Sequence, residues 1–152
     1  MQLTSPAFGQ NGMIPSKYTC DGANVNPPLA ISGAPEGTRT LVLILEDPDV
    51  PKNLKADGMW DHWVLFNMPA DLSHIAEAEE PPGRHGTGTA GNTGYFGPCP
   101  PDRRHRYFFK LFALDAKLDL PERCSKAEVE KAMAGHVLAK AELVGVYERN
   151  KS

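Results

Sequence analysis

Arg39-Thr40-Leu41-Val42-Leu43-Ile44-Leu45-Glu46-Asp47, followed at once by Pro48-Asp49-Val50-Pro51, decides how this chain folds. Leu41 to Leu45 are apolar without a break. They lack the alternation of a half-exposed strand and the three-to-four spacing of a surface helix, so a central strand covered on both faces is expected. The prolines fix φ on either side of Asp49, which holds Asp47 and Asp49 at the rim of that strand and not on a loose loop. A second apolar run, Trp60 to Met68, begins with Asp61-His62 and stops at Pro69, which cannot donate to a ladder. A third, Arg104 to Asp115, alternates: Arg104, Arg106 and Lys110 fall on one parity, and His105, Tyr107, Phe109, Leu111 and Ala113 on the other. Period-2 geometry therefore turns His105 inward and leaves Arg103-Arg104-His105-Arg106 as a solvated basic face, not a nucleic-acid patch.

Fourteen prolines and fourteen glycines exclude long helices from most of the chain. One helix is signalled, starting at Ser125 with Glu128 completing a capping box and running to about Lys140. Its expected buried stripe is Val129, Met133, Val137 and Ala141, and Leu143-Val144-Gly145-Val146-Tyr147 reads as a last strand. Neither a repeat nor a linker interrupts the pattern, so residues 1–152 are expected as a single, mainly β domain. Glu77 to Gly97, with Pro81-Pro82 and six glycines, is too long for an ordinary turn and reads as a lid or a functional loop.

At 152 residues the chain can bury roughly 68 to 70% of its unfolded surface, so a core should form without staples. No apolar run approaches the ~18 residues of a membrane span. Sixteen basic against nineteen acidic side chains give a net charge of -3, which disfavours nonspecific nucleic-acid binding and requires any anion to be met by a local site. Met1-Gln2-Leu3-Thr4-Ser5-Pro6 has neither a basic leader nor an apolar stretch, which implies the cytoplasm. Cys20, Cys99 and Cys124 are odd in number and widely spaced, with no Cys-x-x-Cys, and are expected as reduced thiols.

Gly86-Thr87-Gly88-Thr89-Ala90-Gly91 fits G-x-G-x-x-G, but no strand precedes it and no helix follows, so its glycines are read as permitting positive φ in an irregular loop. The polar residues at the strand rims are more informative. His62 follows Asp47 by about fifteen residues, enough for the chain to return beside it. If the second and third runs are parallel to each other, Asp47, Asp49, His62 and His105 share one end of the sheet. A carboxylate bonded to an imidazole fixes its tautomer and leaves the other nitrogen to hold a phosphate or carboxylate oxygen. Singly, each has a plainer reading: an Asx-type turn for the aspartates, a structural role for each histidine. Two enzyme readings stay open. His62, His105 and Asp47 could form a facial triad for iron or zinc, and Cys99 could act as a nucleophile with His105 as base, although Pro98-Cys99-Pro100-Pro101 supplies no helix N-terminus to activate a thiol.

Taken together, the motifs resemble the phosphatidylethanolamine-binding proteins, also called Raf kinase inhibitor proteins, in their short bacterial and archaeal YbhB/YbcL-like branch. The resemblance covers nearly the whole chain. It is carried by Ile14-Pro15-Ser16-Lys17-Tyr18-Thr19-Cys20-Asp21-Gly22, Asn26-Pro27-Pro28-Leu29, Asp47-Pro48-Asp49-Val50-Pro51, Asp61-His62-Trp63-Val64-Leu65-Phe66-Asn67, and Gly97-Pro98-Cys99-Pro100-Pro101 with His105-Arg106-Tyr107. It implies a sandwich of two antiparallel sheets and a pocket for phosphate, acetate, cacodylate or a phospholipid head group. Asp47, Asp49, His62, Pro98, His105 and Tyr107 stand at the positions that match its site, and Cys99 replaces a proline of the animal motif at the rim. It also implies no catalytic reaction and no cofactor. The animal relatives bind kinases or proteases, and the bacterial ones imply a homodimer. The chain stops at Ser152, without the longer C-terminal helical segment of the eukaryotic members. An inhibitor acting by surface contacts alone is the remaining alternative.

Overall fold

The computed structural model describes residues 1–149; Asn150, Lys151 and Ser152, which close the expected domain span, lie outside the described residues. Among the described residues nine strands occur in chain order: β1 (Gln2–Thr4), β2 (Gly12–Met13), β3 (Leu29–Ser32), β4 (Thr40–Asp47), β5 (Trp60–Pro69), β6 (His74–Ile75), β7 (Arg84–His85), β8 (His105–Leu114) and β9 (Val137–Tyr147), with one α-helix, α1 (Lys126–Met133), between the last two and a single 3-10 turn at Ser16–Tyr18. They form a three-stranded sheet, β1-β3-β6, and a six-stranded sheet, β2-β9-β8-β4-β5-β7. The small sheet is antiparallel. The large one departs from the expected all-antiparallel pairing at its edge, where β2 runs parallel to β9.

The unbroken apolar run is explained by the position of β4, every residue of which is buried. Leu41, Leu43 and Leu45 face the small sheet and pack in one core with Leu3, Leu29, Ile31 and Ile75. Val42 and Ile44 face the other way, into a second core with Val64, Phe66, Leu118, Val129 and Met133 beneath α1. Burying a branched side chain of this size contributes roughly 1.5–3 kcal/mol, and β4 does so on both faces.

Strand β4 is antiparallel to both β5 and β8, so those two run in the same direction and start at the end where β4 finishes. In β8 the alternation is as read from the sequence: His105, Tyr107, Phe109, Leu111 and Ala113 are buried, and Arg106 is exposed.

Two expected boundaries are corrected. Ser125 does cap the helix, accepting from the Glu128 N–H at 3.1 Å, and the capping box is complete. The helix stops at Met133 and not near Lys140, and β9 starts at Val137 and not at Leu143. Gly135, at φ +83°, turns the chain out of the helix in the left-handed conformation that suits a helix end. The edge of β8 then offers a ladder from Leu114 back to His105, which β9 occupies from Val137 to Tyr147. Val137, placed by the helical stripe in the core, is 42% exposed.

The long Gly-rich segment is a laced wall, not a free lid. β7 pairs with β5, Thr89 and Asp61 exchange bonds of 2.9 and 2.8 Å, and Asn92 Nδ2 donates to the His62 carbonyl at 2.7 Å. Of the glycines in the G-x-G-x-x-G stretch only Gly91 has positive φ, +81°. Gly86 and Gly88 are needed for close approach: a Cβ on Gly88 would lie 2.4 Å from Asn92 Oδ1 and 2.7 Å from the Asp61 carbonyl oxygen.

Candidate ligand site

The end of β4 and the starts of β5 and β8 bring Asp47, His62 and His105 together. Asp47 and His105 arrive by strand parity, on the same face as Leu45 and Phe109. His62 does not. Strict alternation would place it with Val64 and Phe66 beneath α1, but the β4–β5 register slips between Leu45↔Trp63 and Glu46↔Asp61, leaving His62 as the extra residue of a β-bulge. A bulge re-aims side chains. Here it turns Asp61 toward α1, where Lys126 Nζ lies 2.7 Å from both Asp61 Oδ1 and Glu46 Oε2. His62 is left on the face of Tyr107, with ring centroids 5.5 Å apart.

A cavity of about 290 Å³ opens at this point. Its polar wall is Asp47, His62, His105 and Tyr107, and its apolar wall includes Val50, Leu54, Trp60 and Phe96, with Cys99 and Pro101 completing the rim. Two residues expected at the site lie outside the wall. The Asp49 carboxylate accepts from Arg106 Nε at 2.9 Å, Nη2 at 2.8 Å and the Arg106 backbone N–H at 2.9 Å, which holds it below the usual carboxylate range. The Pro98 carbonyl accepts from the Cys20 N–H at 3.1 Å. The expectation of three reduced thiols is overturned as well: Cys20 and Cys99 form a disulfide, and only Cys124, buried beneath α1, is free among the described residues. The bond ties the N-terminal loop to the rim.

Asp47 Oδ1 accepts from the Asp49 N–H at 2.7 Å, and Oδ2 lies 2.7 Å from His105 Nδ1. The second nitrogen of His105, expected to be available to a ligand, is engaged too: Asp102 Oδ1 lies 2.7 Å from Nε2. Asp102 sits in an irregular loop and carried no signal in the strand pattern. On His62, Nδ1 is 2.6 Å from the Phe96 carbonyl. A carbonyl only accepts, so Nδ1 carries the hydrogen and Nε2 is the nitrogen left for a ligand. The Tyr107 hydroxyl is buried and makes no hydrogen bond of good geometry among the described residues, although the Asp47 carboxylate is near enough to act on it both as a charge and as a loose acceptor. Burial, and then the nearby Asp47 charge, push its pKa up, so it stays a neutral donor.

Burial also lowers the His62 pKa, outweighing the Phe96 hydrogen bond and the Asp47 charge, which act the other way. The unfolded chain therefore takes up a proton on His62, near the ordinary imidazole value of about 6.5, before the folded chain does. His62 thus adds no penalty above that pH and lowers stability as the pH falls through it toward the folded value. Urea midpoints measured from pH 7.5 to 5 should fall, and the slope should be shallower in His62→Gln; an equal slope in both proteins would count against this account.

With the site in view, comparison with known proteins is decisive: the family model for phosphatidylethanolamine-binding protein matches residues 4–148. The chain belongs to the phosphatidylethanolamine-binding protein family. A UPF0098 protein of Chlamydia pneumoniae is 46% identical over 150 residues, covering 99% of this chain and all of the relative. One from the archaeon Methanothermobacter thermautotrophicus is 46% identical over 155 residues, covering 98% and 99%. The name UPF0098 states no activity. Among solved structures, the phosphatidylethanolamine-binding protein homologue CT736 of Chlamydia trachomatis superposes with a TM-score of 0.96 at 46% identity, covering 98% of this chain and 97% of its own. Escherichia coli YbcL, described as a new member of the mammalian family, gives 0.87 at 30% identity over 98% of each chain. The family and the two-sheet fold expected from the motifs are thus both established for this family member.

Among the described residues, no group of three or more His, Cys, Asp or Glu side chains is arranged to hold a metal ion, and no helix is long and apolar enough to cross a membrane. Both nitrogens of His105 face carboxylates and Nδ1 of His62 faces a carbonyl, so a facial triad would first have to break the bond from His105 to Asp102 or to Asp47.

Proposed function

We propose that this protein is a non-catalytic receptor for a small anionic ligand, of phosphate, carboxylate or phospholipid head-group type, bound between His62 and Tyr107 with the Asp47–His105 pair behind them. The observation that carries this reading is the Tyr107 hydroxyl, a neutral donor buried in the cavity wall that makes no well-formed hydrogen bond, the nearby Asp47 carboxylate being its one approximate acceptor among the described residues. Such a group costs about 1–3 kcal/mol until something accepts from it. The apolar rim, with Leu54 60% exposed, suits the carbon skeleton beyond the anionic group. Modulation of a kinase, protease or other protein partner is the further part of this reading, and its support is family membership alone. A cytoplasmic setting requires the Cys20–Cys99 bond to survive a reducing pool, since such bonds persist mainly in oxidising compartments.

Sulfate, whose charge is constant across the neutral range, is the test ligand. Tyr107→Phe should weaken its binding by about 1.5–3 kcal/mol, the range for a hydrogen bond to a charged group, while leaving the unliganded protein as stable or more so. Unchanged affinity with the fold intact would sink the Tyr107 assignment. An anion also supplies the countercharge that burial denies His62, so binding should take up protons and weaken as pH rises. Calorimetry in buffers of different ionisation enthalpy measures that uptake, and a value of zero would remove His62 from the site.

A further inference from the structure

The buried ring of His105 is held between two carboxylates of different character. Asp47 is fixed: it ends the fully buried β4, and its side chain is 4% exposed. Asp102 is half-exposed: it lies in the irregular loop between Pro101 and β8, and its side chain is 41% exposed. Any acceptor of a hydrogen on Nε2 must take the position that Asp102 Oδ1 now takes, 2.7 Å away. We propose that Asp102 is a tethered stand-in for the ligand's anionic oxygen at His105, and that an anion from solution engages His105 by displacing it. The proposal rests on the anion-binding reading above.

Three features support it. Two carboxylates on one imidazole call for two N–H donors, which is the state an external anion would need from His105, so the ring is preset for its ligand. Asp102 is separated from His105 by only two residues, and so short a tether holds its carboxylate at an effective concentration in the millimolar range or above. An external anion then binds only to the fraction of molecules in which Asp102 has swung out, and its apparent affinity falls by that fraction. A second partner is already in place: Arg103 Nε lies 3.7 Å from Asp102 Oδ2, and the same guanidinium donates to the Asp49 carbonyl at 3.3 Å. A displaced Asp102 carboxylate thus keeps a guanidinium beside it, and the incoming anion takes over the contact with His105.

The test is a sulfate titration of the whole chain, followed through the ring-nitrogen NMR shifts of His105 and His62, in wild type, Asp102→Ala, Asp102→Asn and Glu148→Gln. Asp102→Ala should bind about tenfold more tightly or better, because the tethered competitor is gone. Asp102→Asn, a neutral acceptor of the same shape, should fall between. Glu148 pairs with Arg104 at 2.9 Å, so Glu148→Gln removes the same charge near the start of β8 without touching His105, and should change affinity less than about twofold, as an exposed charge does. Equal affinity in wild type and Asp102→Ala, both with His62 responding, would overturn the proposal and leave the anion reading standing. So would an equal gain in Glu148→Gln, which would make the effect one of bulk charge. Binding by none of the four proteins would overturn the anion reading and this proposal with it.

Discussion

Reducing the Cys20–Cys99 disulfide should lower the stability of this protein by about 4.5 kcal/mol. The bond joins residues 79 apart in sequence, and loop-closure entropy for a loop of that length gives about this figure. For a chain of this size the melting temperature should drop by about 10 °C or more. The folded state should persist, because the two cores beneath and above β4 contain neither cysteine of the pair. The effect is larger at the rim. Cys99 is in the cavity wall, and the Cys20 N–H to Pro98 carbonyl bond depends on the same juxtaposition. Thermal melts with and without reductant, set beside Cys20→Ala/Cys99→Ala, measure it. A melting temperature unmoved by either change would show that neighbouring contacts carry this junction and the bond adds nothing.

Gly97→Ala should destabilise the fold by about 3 kcal/mol, the upper part of the usual range for forcing an atom into a packed site. A Cβ there would stand 2.2 Å from the Tyr18 carbonyl oxygen and 2.5 Å from Asn24 Oδ1, which accepts from the Gly97 N–H at 2.9 Å. Two backbone segments would have to part. The preceding residue is Phe96, whose carbonyl fixes the His62 ring, so the variant should also lose anion affinity. Gly91→Ala is the comparison: it has positive φ but open space around it, and should cost only the left-handed penalty of about 1–2 kcal/mol. Equal losses in urea denaturation would mean that close approach is not what the chain requires at Gly97.

Much of the framework was legible because burial leaves a periodic trace. Leu41 to Leu45 lack alternation since β4 is covered twice, and the parity of β8 placed His105 and Tyr107 inward. The features that were not legible break or escape periodicity. Val129, Met133, Val137 and Ala141 keep a spacing of four, yet the last two belong to a strand that opens on exposed Val137 and Leu138 and alternates only weakly, through the small half-buried Ala139 and Ala141. Gly135 was the available sign of that break. The placement of His62 came from its nearness in sequence to Asp47, while the bulge that turns it toward the cavity is invisible in Asp61-His62-Trp63. Three cysteines cannot name their own pairing. Asp102 lies in a loop, where no alternation marks which side chains turn inward, so its hold on His105 required coordinates.

The double cover of β4 divides the candidate site by timescale. Leu43 to Glu46 are flanked by β5 on one side and β8 on the other and lie between two cores, so exchange of their amides with solvent hydrogen is expected only through global opening, and Asp47, at the end of that strand, inherits the same permanence. On the opposite side Val50, Leu54 and Pro101 belong to connecting loops outside both cores, while Phe96 is bonded to His62. One side of the cavity is therefore expected to last as long as the folded state of each molecule, while Val50, Leu54 and Pro101 on the other are expected to open locally within that lifetime. A change of ligand, over a binding event or over generations, can be accommodated in the loops without disturbing the pair of side chains behind them.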